Sequence, residues 1–188
     1  MDILEEAYDY VKANLKDTRF IHTLGVVSVS KKLAELNGVS EGKAELAALC
    51  HDIAKNLNVE EFQKLMIQNN VELTEDEKKA PELWHCIVGP IVAKNSLNID
   101  DEEVLSAIRW HTTGKENMTS LEKIIYIADM IEPSRKFEGV ENLREEAIKD
   151  LDKGVLLGLT SSMNFLLSQG KPIDLNTVKA RNYLIWNR

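Results

Sequence analysis

Six residues stand where side chains of their kind are costly. The chain has four histidines, in the similar contexts RFIHTLG, LCHDIAK, LWHCIVG and RWHTTG. Each of His22, His51, His85 and His111 is flanked by apolar residues, so its ring nitrogens need partners that the flanks do not supply. Any one alone reads as an ordinary core imidazole held by a hydrogen bond. Four together are better served by a shared metal ion, which gives several helices one common partner. Asp129 interrupts the apolar run IIYIADMI, and Asp52 lies between His51 and Ile53. A buried ionised carboxylate is costly unless compensated, so each of these must face water, pair with a base or ligate a cation. No zinc-finger spacing competes, because the chain has neither Cys-x-x-Cys nor His-x-x-x-His.

The elements that must position these groups read as helices almost throughout. About ten are expected. The first covers roughly Asp2 to Leu15, and a second runs from Thr18 to Gly38, a natural left-handed terminator. Ser40 caps EGKAELAALCHDIAKNL, Asn58 caps VEEFQKLMIQNN, and Thr74 with EDE behind it opens a short helix. In PELWHCIVGPIVAKNSL, Pro81 suits a first turn, whereas Gly89-Pro90 predicts a kink or a division. Asp100 and Asp101 start EEVLSAIRWH, and Ser120 starts LEKIIYIADMI, which Pro133 ends. SRKFEGVEN reads as a loop. VENLREEAIKDLDKGVLLGLTSSMNFLLSQ follows as one long helix or two abutting ones, and Asn176 to Trp186 forms the last.

With 188 residues and no repeat or linker, the chain is expected to form one domain over 1–188. The metal-site core would span about 18–135, with C-terminal helices at about 140–188 packed on it. The fold class is therefore all-α. A net charge of −8 argues against a nucleic-acid surface. The acidic start MDILEEAYDYV is unlike an export signal, and no apolar run approaches the ~20 residues that span a bilayer. A cytoplasmic location with no membrane partner follows as the expectation, with Cys50 and Cys86 as reduced, buried thiols.

Spacing adds specificity. A lone His, an HD pair 29 residues later, two further helical histidines and a late Asp resemble the HD-domain phosphohydrolase superfamily. RFIHTLGV, AALCHDIAK, AIRWHTTG, LEKIIYIADMIEPSRKFEGV and TVKARNYL are similar, more narrowly, to the YqeK family of bacterial HD proteins. One departure is Cys86-Ile87 after His85, where that family more often has small residues. The resemblance covers Arg19 to Leu184 and implies a single HD-domain helical bundle. It also implies metal-dependent, symmetrical hydrolysis of diadenosine tetraphosphate to ADP, with nucleotides as the partners.

By that resemblance His22, His51, Asp52 and Asp129 hold one metal, with His51 and Asp52 counted as catalytic. Iron is the first expectation; manganese, nickel or zinc also suit mixed imidazole and carboxylate donors. His85 and His111 would hold a second ion, with Asp52 bridging, or contact phosphate directly. Phosphoanhydride hydrolysis also needs cations for the non-bridging oxygens. Lys55, three residues after Asp52, is the first candidate, ahead of Arg135 on its loop. Arg19 reads as a brace behind the site. Thr112, Thr113 and Gly114 could meet phosphate or ribose, and Arg181 is carried by the resemblance alone. Trp84, Trp110 and Trp186 could stack a base but read first as core.

Competing readings are another HD nucleotide hydrolase, acting on alarmones or deoxynucleotides, and an idle nucleotide or metal sensor. The cyclic-dinucleotide branch is lowered by the lack of HHE and GYP segments. The exposed helical faces admit a homodimer.

Overall fold

The computed structural model describes residues 2–187, and among them eleven α-helices, one 3-10 helix and no strand. In chain order these are α1 (Ile3–Asn14), α2 (Asp17–Asn37), α3 (Glu41–Cys50), α4 (Val59–Gln68) and α5 (Glu75–Lys78). A 3-10 turn (Pro81–Leu83) leads into α6 (Trp84–Leu97), followed by α7 (Glu102–Trp110) and α8 (Ser120–Ile131). The chain closes with α9 (Val140–Lys149), α10 (Leu151–Ser168) and α11 (Leu175–Trp186). The all-α expectation holds, with one helix more than anticipated.

Local chemistry accounts for the boundaries. Gly38 ends α2 at φ 65°, a conformation costly for any residue with a Cβ. Asn58 with Glu61, and Thr74 with Glu77, form reciprocal capping boxes that satisfy otherwise orphaned N–H groups. Asp150 both closes α9 and caps α10, so the expected long stretch is two abutting helices joined at one residue.

Two expectations are corrected. The helix read from Ser40 through Leu57 stops at Cys50. Beyond it the backbone winds more tightly, with Ile53 N–H donating to Cys50 O and Lys55 N–H to Asp52 O. Side chains of this turn are held by partners on other helices, which local periodicity cannot reveal. The second correction concerns the division allowed for at Gly89-Pro90, because α6 runs through it undivided. Pro90 costs one helical hydrogen bond, yet buried Val88, Val92, Ala93 and Leu97 on either side keep the helix in place. Gly89 instead permits close approach, since a Cβ there would lie 2.9 Å from Ile108 Cγ2 on α7.

Two helices form the centre. In α3, Ala44 and Leu46 through Cys50 are all buried, and in α8 so are Ile124 through Ala128. A helix apolar on nearly every side must be enclosed by others. Accordingly α3 packs on α1, α2, α7 and α8, while α8 also packs on α2 and α10. Leu156 and Leu159 of α10 and Leu184 of α11 join the same buried cluster. The ends of these central helices carry His51-Asp52 and Asp129, so the polar groups project from the most firmly held elements.

Candidate functional site

Five helices deliver the six residues to one place. His22 comes from α2, His51 and Asp52 from the end of α3, His85 from the start of α6, His111 from the end of α7 and Asp129 from the last turn of α8. Two triads result, one of His22, His51 and Asp129 and one of Asp52, His85 and His111. Within each, the nearest donor atoms lie within 4.8 Å of one another. Neighbouring residues point apart, and His51 and Asp52 accordingly serve different triads. His51 Nε2 is nevertheless 3.4 Å from Asp52 Oδ2, while Asp52 Oδ1 lies 3.3 Å from His85 Nε2 and 3.6 Å from His111 Nε2.

The far side of every imidazole is anchored. His51 Nδ1 lies 2.7 Å from Ala48 O, His85 Nδ1 2.8 Å from Glu82 O and His111 Nδ1 2.8 Å from Ile108 O. Each of these carbonyls is three residues back. His22 Nδ1 lies 3.0 Å from Glu132 Oε1. Carbonyl and carboxylate oxygens only accept, so each Nδ1 carries a proton and donates it. In the neutral ring each Nε2 is thereby turned inward with its lone pair, the arrangement that orients metal-binding histidines.

Those lone pairs meet few donors. His22 Nε2 and His51 Nε2 are buried and make no hydrogen bond. His22 Nε2 comes within 3.0 Å of Asp129 Oδ1, but out of line for an N–H bond. Imidazole nitrogens and carboxylate oxygens so close need positive charge among them. Oxygen and nitrogen donors without a thiolate fit a first-row divalent cation. The residues present therefore fit a divalent metal.

Electrostatics agree. Burial opposes charge on Asp129, yet contact with His22 and the charges of His51 and Arg135 prevail and hold its carboxyl well below the usual range. Burial likewise opposes ionisation of Asp52, but His51 and His111 keep it well below the carboxylate range. For His51 burial works against a proton, and Asp52 with Asp129 outweighs it, so its pKa is raised. Burial, with His111 and Lys55 nearby, pushes His85 down to about 3.

Three cations surround the cluster. Arg19 Nη1 donates to Asp52 Oδ2 at 2.9 Å, Arg135 Nε to the Asp129 carbonyl at 2.8 Å, and Lys55 Nζ to His85 Nε2 at 3.0 Å. Arg135 also pairs with the Asp129 carboxylate. Arg19 thus touches a ligand carboxylate itself. Thr112 Oγ1 is 3.4 Å from His85 Nε2, and Thr113 lies beside it. Gly114, by contrast, turns at φ 66° against Ala180 and Met118. Arg181 donates through Nε to Thr160 Oγ1, away from the cluster. Trp84 is buried on Phe62, Trp110 stacks with Arg109, and Trp186 is exposed at the last helix end.

The sequence reading missed Glu132. Its carboxylate holds His22 and accepts from Ser134 N–H at 2.7 Å, and Gly25 makes room for it. Also missed was Arg144, which donates to the carbonyls of Ile131, Glu132 and Arg135 and so clamps the loop after α8. Neither has a sequence signal, since both look like charges at helix ends. Cys50 and Cys86 are buried, burial raises their thiol pKa values to about 12 and about 11, and neither joins the two triads.

An HD domain match spans residues 19–134, the stretch that carries all six clustered residues. The chain belongs to the HD-domain family. It is similar at nearly full length to the symmetrical bis(5'-nucleosyl)-tetraphosphatase of Bacillus subtilis, with 39% identity over 96% of this chain and 97% of that protein. Its namesakes in Halalkalibacterium halodurans and Staphylococcus aureus are 40% and 34% identical, covering 96% and 93% of their own lengths. A Clostridium acetobutylicum crystal structure, described as a predicted HD superfamily hydrolase involved in NAD metabolism, superposes with a TM-score of 0.94 at 41% identity. That match covers 98% of this chain and 97% of the other.

Proposed function

We propose that the protein hydrolyses diadenosine tetraphosphate symmetrically, giving two molecules of ADP. The observation that carries this reading is the pair of triads sharing the His51-Asp52 turn, in a chain whose full-length relatives bear that activity as their name. A divalent cation held there would supply Lewis acidity, favouring loss of a proton from the attacking water near neutral pH and offsetting charge on phosphoryl oxygens. His22, His51, Asp52 and Asp129 would hold it, and His85 and His111 with Asp52 would form a second ligand set. Iron is the metal we favour, since six nitrogen and oxygen donors without thiolate suit it, as they suit manganese, nickel and zinc.

The remaining chemistry belongs to the surrounding cations. Arg19, Arg135 and Lys55 each keep about a third of the side chain in solvent, at 32%, 38% and 34%. Each can turn from its carboxylate or imidazole partner to a non-bridging oxygen, where charge is spread during phosphoryl transfer. Thr112 offers a hydroxyl at the edge of the second triad, whereas the buried Thr113 hydroxyl donates to the Gly114 carbonyl. No protein nucleophile is required. A nucleotide substrate and two buried free thiols fit a cytoplasmic enzyme, and among the described residues no helix is long and apolar enough to cross a membrane.

Product analysis tests the reading. Incubation with diadenosine tetraphosphate and a divalent metal should give ADP alone, whereas ATP plus AMP would mean attack at another phosphorus and would sink it. Elemental analysis of the purified protein tests the choice of iron.

A further inference from the structure

One cavity reaches the first triad and a second lies beside the other triad, and the two cavities differ in chemistry. One, of about 420 Å³, is lined by Arg19, His22, Glu132, Arg135, Lys136 and Phe137 among others. It therefore shares His22 with the first triad. The second, of about 400 Å³, takes in Leu83, Thr112, Thr113, Phe165, Leu166 and Ile173. Thr112 touches His85, so this cavity adjoins the other triad. Both volumes lie in the range of about 300–1,000 Å³ that small-molecule pockets occupy.

The first cavity gathers three cationic side chains in a protein of net charge −8. Its one carboxylate, Glu132, is already engaged by His22 and Ser134, leaving the cavity basic. Its aromatic residue, Phe137, is 38% exposed, so a ring face is open to a planar group. Cationic groups and a partly exposed aromatic ring in one cavity match a nucleoside diphosphate, the phosphates going to the cations and the base to the ring. The second cavity offers Leu83, Phe165, Leu166 and Ile173 as apolar walls for a base, with the carboxylates of Asp76, Glu82 and Asp174 also in its lining, where ribose hydroxyls could donate.

We propose that the basic cavity ending at Phe137 seats the second nucleoside diphosphate half of the substrate, its base on the Phe137 ring and its phosphates against Arg19, Arg135 and Lys136. The first half occupies the Phe165 cavity, and the bond to be broken spans the triads between them. This assignment rests on the function proposed above. It means that the two identical halves are read by different chemistry: one by apolar walls and carboxylates, the other by positive charge and a single stack.

Calorimetry on the metal-loaded protein tests this without turnover, using a diadenosine tetraphosphate analogue with a methylene at the central bridge and, beside it, adenosine 5'-tetraphosphate. The wild type should bind the two-nucleoside analogue about tenfold more tightly or better, the scale of one base-aromatic stack. Phe137→Ala should erase that gap while leaving adenosine 5'-tetraphosphate binding unchanged. Lys136→Ala should weaken both, because both present phosphates. A gap that survives in Phe137→Ala, or no gap in the wild type, would overturn the assignment. Failure of the proposed function is seen separately, in the products formed from the cleavable dinucleotide.

Discussion

Glu132 Oε1 lies 3.0 Å from Nδ1 of His22, and the carboxylate is held in place by Ser134 while Gly25 supplies the space it occupies. A Cβ on Gly25 would come within 2.6 Å of Glu132 Oε2. The glycine in the middle of α2 therefore serves the carboxylate across from it.

Glu132→Gln keeps the shape and removes the charge, so metal affinity should fall by about 10- to 100-fold, the usual effect of losing a partner behind a ligand. Gly25→Ala should do the same by displacement, although helix propensity alone would stabilise α2 by about 1 kcal/mol. Metal titration with thermal melts checks both. Unchanged affinity in Gly25→Ala would show that Glu132 can move without releasing His22.

Asp52→Ala should abolish turnover and strip metal, because this carboxylate faces three histidines and Arg19. Lys55→Ala should keep its metal while turnover falls by about 10²–10³-fold, as expected for a lost charge-stabilising donor. Metal content and kcat measured on the same preparations separate the two effects.

Acid should destabilise the metal-free protein. His85, at about 3 when folded against an ordinary 6.5, contributes stability that is present above pH 6.5 and lost as pH falls toward 3. Asp52 and Asp129 act in the same sense at lower pH, their depressed carboxyls losing stability on protonation. His51 has the opposite sign, because its raised pKa gives stability present below 6.5 and lost as pH rises through the folded value. Urea titrations from pH 4 to 8 should show the loss below 6.5, and His85→Asn should flatten it.

Arg144→Ala should free the loop that carries Glu132 and Arg135. Three partly buried carbonyl acceptors lose their donor, so stability should drop by about 1–3 kcal/mol. KM should rise with it, as Arg135 loses its fixed approach. A KM equal to wild type would place Arg135 outside substrate binding.

Much of this was legible in the sequence. His22, His51, His85, His111, Asp52 and Asp129 were recognisable because polar groups in apolar surroundings advertise an unmet need, and the structure brings all six together. Helix ends at Gly38, Asn58 and Thr74 were legible because caps are local chemistry. Glu132 was not, since its meaning lies in a histidine 110 residues away. The stop of α3 at Cys50 and the passage of α6 through Pro90 were hidden for the same reason: contacts between helices overrode the local pattern. Phe137 and Phe165 carry no periodic signal at all, and the tryptophans that looked fit for stacking lie elsewhere.

The His51-Asp52 turn has one more consequence. The two triads meet at a single peptide bond, across which consecutive Cα atoms are about 3.8 Å apart. Their separation is set by a covalent ruler rather than by the seating of one helix on another. Heating, or substitutions that let helices slide, will splay the outer members His22, His85, His111 and Asp129 long before they alter that span. A worn version of this protein should lose its outlying ligands first and keep its gauge to the end.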